Sequence, residues 1–188
     1  MTGYDFDKTI YDGNSFIDFY LFCLKRHKWI VLFLPVQLIF GVITLSFSRK
    51  RSKRIFCMFL MLISDIEHET ELFWDESIHK IRAWYYDNRE RDDIIVSASP
   101  EFFLKPICER LEIRQLIGTK MNADNGKIYG KNIYGRHKVE AYRTRYGGQR
   151  LNAFYTDSRS DFCMREVSDV IYRVKGNKIS KLPDEVCK

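Results

Sequence analysis

The chain has no Cys-x-x-Cys pair, and its five cysteines stand far apart at Cys23, Cys57, Cys108, Cys163 and Cys187. An odd, scattered set of thiols excludes a disulfide framework and fits a reducing, cytoplasmic setting. The four histidines (His27, His68, His79 and His137) show no His-Glu-x-x-His or other zinc spacing, so the usual zinc-enzyme patterns are excluded. The first strongly apolar stretch begins well inside the chain, so no cleavable signal peptide is expected. Internal repeats and low-complexity segments are absent.

What remains is an ordinary globular composition: 188 residues, 45% hydrophobic and 30% charged. That length allows a real core in one domain with room for an insert. The aromatic share of 15% is high, so ring contacts should dominate the core. The net charge of +6 suits an anionic partner without naming it.

Four zones separate along the chain. Residues 1–14 form a short start that ends in the turn-rich Asp12-Gly13-Asn14. Residues 15–90 read as helical, with few glycines and long apolar or aromatic runs. Residues 91–161 alternate: an apolar run Ile94-Ile95-Val96, a helix pattern Glu101–Leu111, and an apolar stretch at Leu116-Ile117. The hairpin-type turn Asp124-Asn125-Gly126, a helix over Lys138–Tyr146 and a strand over Ala153–Thr156 follow. The tail adds a strand at Val170–Val174 and a turn at Gly176-Asn177. Strand–helix–strand alternation predicts an α/β fold: a parallel sheet with helices on its faces, residues 1–7 supplying one further strand and zone 15–90 inserted on top.

Four segments carry chemistry. Asp5-x-Asp7-x-Thr9 ends the first strand, and side chains two apart leave a strand on the same side. Two facing carboxylates repel unless a hard, oxygen-liganded cation such as magnesium lies between them. Ser97-Ala98-Ser99-Pro100 ends a buried-type strand and opens a helix whose first amides suit an anion. Lys138 stands at the start of a helix pattern, and Asp157-Ser158-x-x-Asp161 follows another apolar strand. Each segment alone has a plain reading as a solvated turn, a helix cap or a surface lysine.

Together and in this order, the four resemble the motifs of the haloacid dehalogenase superfamily, in its phosphoserine-phosphatase-like branch with a helical cap between motifs one and two. The resemblance implies a three-layer Rossmann-like core from 1–14 and 91–188, with an all-helical cap from 15 to 90 hinged at 12–14 and 88–93. It implies Asp5 as nucleophile and Asp7 as acid and base. Magnesium would be held by Asp5, the Asp7 carbonyl and Asp157, with Asp161 orienting that set. Thr9, Ser97 and Lys138 would bind the phosphoryl oxygens. Asp7 also points to phosphatase rather than dehalogenase chemistry, since an alkoxide leaving group needs a proton and a halide does not. A phosphate-binding protein without turnover is the alternative of another class. Loss of Asp5, Asp7, Lys138 or Asp157 would signal it, and all four are present.

Substrate class stays open between a small-molecule phosphate and a lipid phosphate. Phosphoserine phosphatases resembling this chain carry a glutamate nine residues past the nucleophile, where this chain has Asn14. Trp29–Ser48 holds no charge and is flanked by Lys25-Arg26-His27-Lys28 and Arg49-Lys50-Arg51-Ser52-Lys53-Arg54. Twenty such residues match a bilayer span, but a single span would put Asp5 and Lys138 on opposite sides of the membrane. Either the apolar faces pack within the cap, or segment 25–54 rests on a membrane surface. The second layout also looks like the phosphatidylglycerophosphate phosphatases of the branch. A cytoplasmic core is expected, peripheral to the membrane in the second case. No aromatics are arranged for base stacking, so no nucleic-acid partner is expected.

Overall fold

The computed structural model describes residues 1–33, 35, 53 and 55–183. Most of the uncharged run and its second basic flank lie outside the described residues. A six-stranded sheet organises the rest, in the order β3-β2-β1-β4-β5-β6. Strands β1 (Gly3–Tyr4), β2 (Ile94–Pro100), β3 (Gln115–Thr119), β4 (Leu151–Thr156) and β5 (Ser168–Lys175) run parallel. The edge strand β6 (Lys178–Lys181) turns back antiparallel through the Gly176-Asn177 turn.

The sheet is covered on both faces, as a parallel sheet requires. Ile95 joins a cluster with helix α4 (Glu101–Arg110) and the insert, whereas its neighbours Ile94 and Val96 join a second cluster with α5 (Arg136–Tyr146). This alternation along β2 makes the three layers. The central strand has only two ladder residues, Gly3 and Tyr4, each paired on both sides. Gly3 is closely packed there: an added Cβ would lie 2.7 Å from Leu151 Cδ1 and 2.8 Å from Phe154 Cδ2, so those side chains would have to shift.

Among the described residues, the insert holds α1 (Ser15–Arg26), α2 (Ile66–Ser77) and short 3-10 turns. Asn14 starts α1 by accepting the Ile17 amide at 3.1 Å, and Asp65 starts α2 the same way from His68. An aromatic core ties insert to sheet domain: Phe103 of α4 packs on Phe16, Phe19 and Trp74. Helix α3 (Ala83–Asn88) lays Trp84 and Tyr85 against Tyr4, which itself stacks on Tyr155, and Tyr155 on Tyr172. The chain leaves and re-enters the insert side by side. Asp12 N–H donates to Lys80 O at 2.8 Å, Arg82 N–H to Ile10 O at 2.8 Å, and the Arg82 guanidinium holds Asp12 at 2.7 Å. No helix among the described residues is long and apolar enough to cross a membrane.

Candidate active site

Strand order reverses around β1, whose neighbours are β2 on one side and β4 on the other. Ligands of open parallel sheets bind beyond the carboxyl ends of strands at such a switch point. Asp5 and Asp7 follow β1, Ser97 and Ser99 end β2, and Asp157 follows β4. The Asp5 amide donates to Tyr155 O at 2.9 Å, which sets the first carboxylate beside the end of β4. The chain then folds tightly, with the Thr9, Ile10 and Tyr11 amides all turned on Phe6 O, and Lys8 in the left-handed region at φ 59°. A left-handed lysine costs ~1–2 kcal/mol, and the loop contacts must hold it there.

Lys138 is the electrostatic centre. Its ammonium donates at 2.7 Å to Asp5 Oδ1 and at 2.7 Å to Asp161 Oδ2, with all three side chains buried. Asp161 Oδ2 also accepts from Thr156 Oγ at 3.0 Å. Burial pushes the Asp5 carboxyl up to about 7; Lys138 opposes the rise, and Asp161 and Asp7 add to it. Burial alone would depress the Lys138 ammonium, but the charges of Asp5 and Asp161 outweigh that and hold it above its ordinary value. Asp157 is also pushed up, first by burial, with Lys8 opposing. The Asp157 amide donates to Thr9 Oγ at 3.0 Å, so Thr9 fastens the first motif to the last. This leaves the Thr9 hydroxyl hydrogen to donate elsewhere.

Two residues with no assigned role hold Asp7. Its Oδ1 accepts from the Ser15 amide at 2.7 Å and the Ser15 hydroxyl at 2.6 Å, and its Oδ2 accepts from Ser99 Oγ at 2.6 Å. The Ser99 amide donates to Ser97 Oγ at 3.1 Å. The predicted residues therefore gather at one end of the sheet: Asp5, Lys138 and Asp161 in direct contact, Thr9 tied to Asp157, and Ser97 linked through Ser99 to Asp7. Asn14, nine residues past Asp5, has its side chain committed to capping α1.

The donor set suits a hard divalent cation. Asp5 and Asp157 offer only oxygen, the donor type a hard cation prefers, and burial pushes both carboxyls up. Asp5, the Asp7 carbonyl and Asp157 are the groups that would hold it. Among the described residues, the three carboxylates close enough to share an ion are instead Glu90, Asp92 and Asp93. They precede β2, at the opposite end of the strands, and Asp92 already pairs with the Met1 amino group at 3.0 Å.

A parallel α/β core with carboxylates, a buried lysine and hydroxyls gathered at the strand ends is a frame suited to a hydrolase. The family model for haloacid dehalogenase-like hydrolases matches residues 2–166, and the chain belongs to that family. Among curated proteins it is 27% identical over 189 residues to the protein CicA of Caulobacter vibrioides in two strains, covering 90% of this chain and 83% of that protein. Among solved structures, a Bordetella pertussis protein of unknown function superposes with a TM-score of 0.70 at 18% identity, over 86% of this chain and 83% of that one. A phosphoserine phosphohydrolase-like protein from Francisella tularensis gives 0.57 at 13% identity, over 90% and 84%. A haloacid dehalogenase family hydrolase from Salmonella enterica serovar Typhi gives 0.56 at 13%, over 89% of this chain and 59% of that one. These likenesses are of fold.

Proposed function

We propose that this hydrolase is a magnesium-dependent phosphomonoesterase working through an aspartyl-phosphate on Asp5. The observation that carries the reading is the buried Asp5–Lys138–Asp161 contact beside an Asp7 held by two serines. Asp5 attacks phosphorus while the bond to the ester oxygen breaks, and Asp7 supplies the proton that turns the leaving alkoxide into an alcohol. Water then attacks the same phosphorus, Asp7 takes its proton, and the bond to Asp5 breaks to release phosphate and restore the carboxylate. Lys138 offsets charge on the phosphoryl oxygens, and Ser97 and Thr9 offer hydroxyl donors to them. Magnesium, when bound by Asp5, the Asp7 carbonyl and Asp157, neutralises part of the phosphate charge that would otherwise repel a carboxylate nucleophile. Asp161 holds Lys138 in place.

A second reading concerns the substrate. The insert exposes Ile17, Leu21, Trp29, Val31, Leu32, Met58 and Met61, with Lys25 and Lys28 exposed among them. Trp29 Nε1 donates to Leu62 O at 3.0 Å, which brings the two apolar turns together. An apolar patch with a basic rim suits a membrane surface, and a lipid phosphate is the substrate such a cap would meet. Phosphate release from an aryl phosphate, phosphoserine, sugar phosphates and phosphatidylglycerophosphate in mixed micelles tests both readings. Preference for the micellar substrate, with co-sedimentation on anionic vesicles, supports the lipid version. Equal or better turnover of soluble esters and no vesicle binding removes it. No release from any member of the panel returns the protein to a phosphate-binding role.

A further inference from the structure

Lys53 belongs to the second basic flank of the uncharged run, where a lysine ordinarily lays its stem on the surface and keeps its ammonium in water. It does the reverse. Its Nζ donates to Ala98 O, and at 3.0 Å to Asn132 Oδ1. Both acceptors belong to the core. Ala98 lies between Ser97 and Ser99 at the end of β2, and Asn132 precedes α5, the helix that carries Lys138. The acceptors are themselves fixed: Thr119 Oγ lies 2.7 Å from Ala98 O and 3.0 Å from Asn132 Oδ1, and accepts the Ile133 amide at 3.1 Å. His137 Nδ1 lies 3.0 Å from Asn132 O. The insert approaches the core closely here. A Cβ on Gly126, whose φ is +66°, would lie 2.6 Å from Cys57 Cβ, one helical turn after Lys53.

A buried ammonium is costly unless it is well bonded, and burial lowers the pKa of Lys53 to about 8, with the charge of Asp7 opposing. The peptide it grips gives the placement a consequence. A cation on the Ala98 carbonyl polarises the Ala98–Ser99 amide and makes the Ser99 N–H a stronger donor. That N–H donates to Ser97 Oγ, which leaves the Ser97 hydroxyl hydrogen to donate elsewhere. The hydroxyl of the same Ser99 holds Asp7 Oδ2. One ammonium from the insert thus braces both serines at the end of β2.

We propose that Lys53 is a positioning residue: by gripping the Ala98–Ser99 peptide, it makes the orientation of Ser97 toward a phosphoryl group, and of Ser99 toward Asp7, depend on the seated insert. The proposal rests on the phosphatase reading for its meaning, but its test has a separate readout. Inorganic phosphate is titrated calorimetrically, with magnesium, into the full-length wild type, Lys53→Met, Lys53→Arg, Asn132→Ala and the double variant. Steady-state turnover of an aryl phosphate is measured alongside. Lys53→Met is expected to weaken phosphate binding roughly tenfold and to lower kcat, not only to raise KM, because Asp7 loses its fixed partner. Lys53→Arg should regain most of the loss. Asn132→Ala should add little on top of Lys53→Met, since both remove one contact. Arg26→Met breaks a contact inside the insert, the pair with Glu69 at 2.8 Å, and should leave phosphate binding within about twofold. Equal phosphate affinity and kcat in wild type and Lys53→Met overturns the proposal, as does an equal loss in Arg26→Met. Wild type that binds phosphate but hydrolyses no ester overturns the phosphatase reading alone, and the titrations still decide the role of Lys53.

Discussion

Replacing Lys138 by methionine keeps the length of the side chain and removes the charge that two buried carboxylates share. In the wild type its ammonium lies 2.7 Å from both Asp5 and Asp161, with side-chain exposures of 2%, 11% and 2% respectively. Removing one partner of a buried ion pair ordinarily costs about 3–5 kcal/mol, because the remaining charge is left without compensation. For a chain of this size, ~2–4 °C per kcal/mol converts this to a fall in Tm of roughly 6–20 °C. The loss should depend on pH. The Asp5 carboxyl is already pushed up to about 7 by burial even with Lys138 present; without the lysine the folded state binds its proton more tightly still. Where the native state holds protons that the unfolded chain has released, stability falls as pH rises. The variant should therefore lose most near pH 8 and less near pH 5.5 in urea unfolding followed by circular dichroism with metal chelated. Added magnesium should recover part of the loss at pH 8. A loss below ~1 kcal/mol at pH 8, or the same loss at both pH values, refutes the view that Lys138 neutralises a buried carboxylate pair.

Other perturbations follow the same geometry. Ser99→Ala and Ser15→Ala each remove a hydrogen bond to a charged acceptor, worth ~1.5–3 kcal/mol. Each should lower kcat for an aryl phosphate about tenfold or more and lower Tm by roughly 3–12 °C; unchanged kcat in both would show that Asp7 needs no such support. Gly3→Ala drives a methyl into Leu151 and Phe154 and should cost ~1–3 kcal/mol in urea unfolding; a neutral substitution would mean that the sheet centre gives way easily. Burial pushes the Asp93 carboxyl up to about 6, so its contribution to stability is whole below about pH 4 and lost as pH passes 6. Asp93→Asn should therefore gain in Tm relative to wild type as pH rises across that window. A Tm difference that stays constant from pH 4 to 8 would contradict this.

The architecture could be read from the sequence because its signals are local. Ile94-Ile95-Val96 is apolar on every residue, as a strand covered on both faces must be, and the helices after it are bounded by Pro100 and by Gly135 and Gly147. The helical character of the described parts of 15–90 is likewise a local signal, carried by few glycines and long apolar or aromatic runs. The supports of the site were not legible. Ser99 reaches Asp7 across 92 positions and Lys53 reaches Asn132 across 79, contacts that only tertiary packing creates. Ser99 looked like a helix cap, and Lys53 was one of five basic residues in a run open to a solvated or a headgroup-facing reading. Asn14 shows the converse: its neutral side chain, which departs from a substrate-binding glutamate, has a structural task at the start of α1. The aromatic ladder Tyr4–Tyr155–Tyr172 was hidden too, because it depends on the register of three strands that are distant in sequence.

The central claim is that Asp5 carries the phosphoryl group, and phosphate release with magnesium from wild type and Asp5→Asn tests it most directly. Asparagine keeps the shape of the side chain but is a far weaker nucleophile. The account predicts turnover of at least one ester by wild type and a loss of three orders of magnitude or more in the variant, on the order of 4 kcal/mol in the barrier. Comparable turnover by both proteins, or none by wild type in excess magnesium, contradicts it.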